Sequence, residues 1–132
     1  MAYKPKGYTS VSPYLVVDDA TVTLDFAASV FAAETLHVVR RDDGTIRHAE
    51  IRIDDTVVMV GQMPGGPPAH LHVYLEDPDA AFARALDAGA SQVEPIALKE
   101  EGERRGGIRD ANGTTWWLAR AGAQKTAAAR SS

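Results

Sequence analysis

A repeat inside the chain constrains its fold more than any other feature. Leu15-Val16-Val17-Asp18-Asp19 falls on Val73-Tyr74-Leu75-Glu76-Asp77 at a separation of 58 residues, an apolar run followed by acidic residues. The same separation carries Val57-Val58-Met59-Val60 onto Thr115-Trp116-Trp117-Leu118, each run following a turn rich in Asp or Asn. A repeat of this length implies two similar supersecondary units that cannot bury their apolar faces alone and so pack together.

Each unit reads as β-α-β-β-β. In the first, Val11–Val17 has strand composition, with Pro13 marking an edge or a start. Asp18-Asp19 offers an N-cap to a helix over Ala20–Phe31, whose apolar residues recur at helical spacing. Strands are expected over Thr35–Arg41, Thr45–Ile53 and Thr56–Gly61, joined by Asp42-Asp43-Gly44 and Asp54-Asp55. Met63-Pro64-Gly65-Gly66-Pro67-Pro68 then breaks all regular structure. In the second unit a strand over His70–Leu75 precedes a helix capped by Asp77 or Asp79, ending near Ala88 before Gly89. Ser91–Ile96, Gly106–Arg109 and Thr114–Ala119 complete it, with a polar loop over Lys99–Arg105. The expected organisation is an arm over residues 1–9, modules over 10–62 and 70–121, a linker over 63–69 and a tail over 122–132. A helical turn over Thr126–Arg130 is compatible with the tail's composition.

Composition narrows the function. A net charge of -4 argues against a nucleic-acid surface, which needs a basic face. No cysteine is present, which removes disulfides, thiol nucleophiles and Cys-ligated metal centres. No apolar run approaches the roughly 18 residues of a membrane span, and MAYKPKGYTS lacks the apolar stretch of a secretory signal. A cytoplasmic protein with no membrane partner is expected.

Certain runs carry a family resemblance. They are Pro13–Ala20, His48–Asp55, Val73–Ala80, Arg105–Gly113 and Trp116–Ala119. In a tandem β-α-β-β-β frame these resemble the vicinal oxygen chelate superfamily, in particular its small PhnB-like glyoxalase/bleomycin-resistance members. The resemblance implies an α+β fold in which the two modules form a curved mixed sheet around a cavity, and it implies a homodimer. Metal-dependent members of that superfamily draw one ligand from the first strand and one from the fourth strand of each module. The matching positions here are Ser12, Met59, His70 and Trp117, of which only His70 is a ligand-type residue. No resident metal or other cofactor is therefore expected.

Strand alternation assigns the cavity face. Val11, Leu15 and Val17 suit the helix side, leaving Ser12, Tyr14 and Val16 opposite. By the same rule His48, Glu50, Arg52, Met59, His70, His72, Tyr74, Thr115 and Trp117 face the cavity, whereas Val58, Val60, Trp116 and Leu118 face helices. Arg105, before Gly106-Gly107 at the cavity mouth in relatives, is a candidate grip for a ligand anion. The ligand-binding candidates are thus Ser12, Tyr14, His48, Glu50, Met59, His70, His72, Tyr74, Arg105 and Trp117. A wet sheet face, a same-face His–Glu pair and ordinary packing by Met59 and the tryptophans account for the same residues without a ligand. Two functions are expected in order. The first is sequestration of a small molecule without catalysis, the property implied for an antibiotic-resistance-type relative. The alternative is an enzyme of lyase or dioxygenase type with a rearranged site, using a divalent metal or a His/Glu acid–base pair.

Overall fold

The computed structural model describes residues 3–122. The end of the tail, including its expected helical turn, lies outside the described residues. The first module comprises β1 (Tyr14–Val17), α1 (Ala20–Phe31), β2 (Glu34–Arg40), β3 (Ile46–Ile53) and β4 (Thr56–Gln62). The second comprises β5 (His70–Tyr74), α2 (Pro78–Asp87), β6 (Ser91–Leu98), β7 (Arg104–Arg109) and β8 (Thr115–Arg120). Each module builds its own four-stranded mixed sheet, in the orders β1-β4-β3-β2 and β5-β8-β7-β6. The β1–β4 and β5–β8 pairs are parallel and the others antiparallel.

The helices start where the acidic caps require. The Asp19 carboxylate accepts from the Thr21 N–H, and the Asp77 carboxylate accepts from the Ala80 N–H. Pro78 follows as the first residue of α2, where a missing N–H costs nothing. Gly89, at φ 97, ends that helix in the left-handed conformation.

Two expectations need correction. β1 begins only at Tyr14, so Val11 stands outside the strand, 82% exposed instead of facing a helix. The Pro13 carbonyl still accepts from the Met59 N–H, but proline has no N–H with which to extend the ladder. The polar loop of the second module is also shorter than expected. A single 3-10 turn over Glu100–Gly102 and a bond from the Lys99 N–H to the Glu103 carbonyl close it, and Arg104 and Arg105 join β7.

The repeat carries one flaw that matters for the site. Tyr14 pairs with Met59, and His72 with Trp117, which keeps the separation of 58 on the first and last strands of each module. On the third strand Glu50 pairs with Met59 while Gly107 pairs with Trp117, a separation of 57. Between matched ladder positions, Ile53 and Thr56 in the first module and Asp110 and Thr114 in the second, the β7–β8 turn holds one residue more than the β3–β4 turn, and the single constant offset fails there. A slip of one residue exchanges the two faces of a strand. The structural counterpart of Glu50 is therefore Gly107, not Ile108.

The modules meet through their helix sides in one core. Trp116 of β8 is fully buried, with ring centroids 6.0 Å from Phe26 and 5.0 Å from Phe31 of α1. Its indole N–H donates to Asp110 at 2.9 Å, satisfying the one polar atom that burial would otherwise strand. From the same turn, Asn112 accepts from the Asp19 N–H and donates to the Asp19 carbonyl and the Thr23 hydroxyl. Arg84 of α2 donates twice to the Val30 carbonyl of α1. Because the apolar sides are used against each other, the opposite face of each sheet is open, with Tyr14 53% and Tyr74 50% exposed.

Candidate functional site

The candidate residues form two groups, one on each sheet. On the first sheet, His48 and Glu50 stand two residues apart on β3 and so share a face. The His48 Nε2 lies 2.8 Å from Glu50 Oε2, and the Tyr8 hydroxyl donates to Glu50 Oε1 at 2.5 Å. Tyr14 reaches His48 from β1, its hydroxyl 3.1 Å from Nδ1. With Nε2–H given to the carboxylate, Nδ1 is left as an acceptor and Tyr14 donates. The result is a continuous chain, Tyr14–His48–Glu50–Tyr8. These hydrogen bonds hold the Glu50 carboxyl below its ordinary range, Tyr8 contributing most and His48 next. The same bond, chiefly, raises the Tyr8 phenol above its ordinary value. The Ser12 hydroxyl lies 3.4 Å from the Thr9 hydroxyl, ahead of β1, and Met59 is half-buried in register with Tyr14 and Glu50.

On the second sheet, Trp117 lies over Gly107. A Cβ at position 107 would stand 2.6 Å from the indole ring, so only glycine admits this pose. The Trp117 N–H donates to His70 Nδ1 at 3.2 Å, and the two rings are parallel within 11° with centroids 6.2 Å apart. Together they form a flat aromatic shelf. Beside it, Arg105 donates to Glu103 at 2.6 Å, and His72 Nε2 lies 3.7 Å from the same carboxylate oxygen. The edge of His72 meets the Tyr74 ring at 4.7 Å. His72, Glu94, Arg105 and Trp117 line a depression of about 300 Å³. A second cleft of about 270 Å³ runs along the seam between the modules, where Pro13, Asp54, Asp55 and Val58 face His72 and Tyr74.

Sequence reasoning selected Tyr14, His48, Glu50 and Met59, which the first sheet gathers, and His70, His72, Tyr74, Arg105 and Trp117, which the second gathers; Ser12, also selected as a strand residue, lies before β1. It missed Tyr8, Glu103 and the two strand glycines, Gly61 and Gly107. Tyr8 sits in an arm without periodicity. Glu103 sits in what looked like a solvated charge run, yet it is buried. A glycine inside a strand pattern does signal close approach of another group. That signal was present at 61 and 107.

The metal of metal-dependent relatives does not fit the corresponding residues here. A hydroxyl, a thioether and an indole are poor partners for a hard divalent ion, and His70 Nδ1 already accepts from Trp117. Among the described residues, no three His, Asp or Glu side chains are grouped to hold a metal ion.

No family model matches the sequence. An uncharacterized protein of Mycobacterium bovis is 38% identical over 123 residues, spanning 83% of this chain and 81% of its relative. TioX from Micromonospora sp. ML1 superposes with a TM-score of 0.73 at 28% identity, covering 86% of this chain and 98% of that one. The fosfomycin resistance protein FosX from Listeria monocytogenes gives a TM-score of 0.72 at 17% identity over 88% and 94% of the two chains. A glyoxalase/bleomycin resistance protein/dioxygenase from Nocardioides gives 0.63 at 15% identity over 96% and 90%. The fold is therefore that of the glyoxalase/bleomycin-resistance proteins. That fold is the one its motifs imply, and the chain belongs to one family with the mycobacterial protein. Among the described residues, no helix is long and apolar enough to cross a membrane.

Proposed function

We propose that this protein binds a flat, partly aromatic small molecule against Trp117, as a homodimer in the cytoplasm, and acts by sequestering it. The shelf of Trp117 and His70 over Gly107 carries this reading. A pair of parallel rings, His70 exposed and Trp117 half-buried, offers a stacking face worth about 0.5–1.5 kcal/mol beyond the area it covers. The Arg105–Glu103–His72 cluster at its side supplies donors and an acceptor for the polar end of the ligand. The depression sets one aromatic wall, Trp117, beside His72, Glu94 and Arg105, so a planar ligand with a polar end suits it. The open outer face of each sheet supports a second copy as the missing wall. Relatives named for resistance to an antibiotic suggest protection by capture as the biological role.

Two planar probes of opposite charge test this reading, proflavine and 8-anilinonaphthalene-1-sulfonate. Tryptophan emission is followed during titration of the wild type and of Trp117→Phe. Saturable quenching by one probe that disappears in the variant supports the shelf. Equal quenching in both proteins places binding elsewhere and defeats the proposal.

A further inference from the structure

We infer that the first sheet carries a separate proton-exchange centre, in which Tyr14 takes a proton from a weakly acidic ligand group while passing its own to His48. Three observations converge on it. The chain Tyr14–His48–Glu50–Tyr8 is anchored at one end and open at the other, since Glu50 and His48 are largely covered while the Tyr14 ring stays exposed. Glu50 fixes the imidazole so that Nδ1 points its lone pair at the phenol, the geometry a base needs. Gly61, in register beside this group on β4, leaves room for the reach of Tyr14. A Cβ there would stand 2.9 Å from the tyrosine hydroxyl.

Gly61 separates this arrangement from incidental pairing. A glycine inside a strand weakens it, and Gly61 lies in an interior strand between β1 and β3. Any larger residue would push the phenol away from His48. The surrounding charges leave Glu50 to its task. Arg52, next on this face of β3, is held by Glu34 and by the Gly7 carbonyl, and His37 stands opposite Glu50 on β2.

The step balances. A ligand O–H or S–H bond breaks and its proton joins Tyr14 Oη, while the Tyr14 O–H bond breaks and that proton joins His48 Nδ1. The ligand leaves as an anion and an imidazolium remains beside the Glu50 carboxylate. The reverse step restores both. A phenol backed by an imidazole exchanges protons with comparably weak acids, which points to enols, phenols and thiols and not to simple alcohols.

Phenylmethanesulfonyl fluoride tests the relay without any substrate. The tyrosine oxygen bonds to sulfur, fluoride leaves, and the phenol proton must be taken up. Labelling is mapped by peptide mass spectrometry and compared with N-acetyltyrosinamide. Tyr14 is expected to react about tenfold faster than the free compound, and Tyr8, whose proton is held by a carboxylate, slower than it. His48→Gln and Gly61→Ala are each expected to remove the advantage. The first leaves the backbone and Gly61 unchanged and replaces a partly covered side chain by one of similar size, so it serves even if the second disturbs the strand. Labelling of Tyr14 no faster than the free compound, or equally fast labelling in His48→Gln, overturns the inference.

Discussion

In the first module an aromatic from β1, Tyr14, crosses Gly61 to reach a histidine. In the second an aromatic from β8, Trp117, lies on Gly107 beside one. The modules share strand order, helix caps and a core, yet their outer faces hold different chemistry. One is a chain of hydrogen bonds covered in part by the N-terminal arm, and the other is an aromatic shelf edged by ions. The helix sides had to stay alike because they pack against each other, whereas each outer face was free to diverge. The extra residue in the β7–β8 turn sharpens the contrast, since it sets Gly107 where the first module has Glu50.

Adjacent tryptophans offer the strongest way to break this comparison. Trp116→Ala is expected to destabilise the chain by about 3–5 kcal/mol, because it empties the space between α1 and β8. Trp117→Ala is expected to cost less, about 1–2 kcal/mol, as it removes a half-buried ring from an outer face. Urea denaturation followed by circular dichroism measures both. Similar losses would mean that the outer face is also core. Gly107→Ala comes next, at about 1–3 kcal/mol, since the new methyl must displace the indole. It should also abolish probe quenching. Asn112→Ala tests the link between modules. Loss of its bonds to Asp19 and Thr23 is expected to cost about 1–2 kcal/mol and to broaden the unfolding transition.

The smallest effect belongs to Glu50. Its carboxyl is held below the ordinary value of 4.5, so its contribution to stability is complete above that value. The contribution is lost as pH falls through the lower folded value. Wild type should therefore lose stability faster than Glu50→Gln below pH 4.5 in acid melts. Parallel acid profiles would show that the Tyr8 and His48 bonds do not favour the charged form.

The fold was legible because its signals are local or repeated. Acidic caps, short turns and the run at a separation of 58 fixed the element order, and alternation put Trp116 inside and Trp117 outside. The site was only half legible. Alternation names residues on one face of a strand but does not say which two sheets will face each other. The candidates within strands accordingly divide between two outer faces. Tyr8 and Glu103 act through tertiary reach from segments without periodicity, which a linear pattern does not record. Val11 was misplaced because Pro13 shortens β1.

The central claim is that ligand meets the second sheet's outer face and leaves the shared core untouched. The chain has 2 tryptophans, whose indole N–H groups donate to different acceptors, His70 and Asp110. Two-dimensional ¹⁵N–¹H NMR therefore reads each environment separately once Trp117→Phe assigns the peaks. Titration with whichever planar probe quenches emission is predicted to shift the Trp117 indole signal progressively and to leave that of Trp116 in place. A shift confined to Trp116, or none at Trp117 at saturation, would contradict the account.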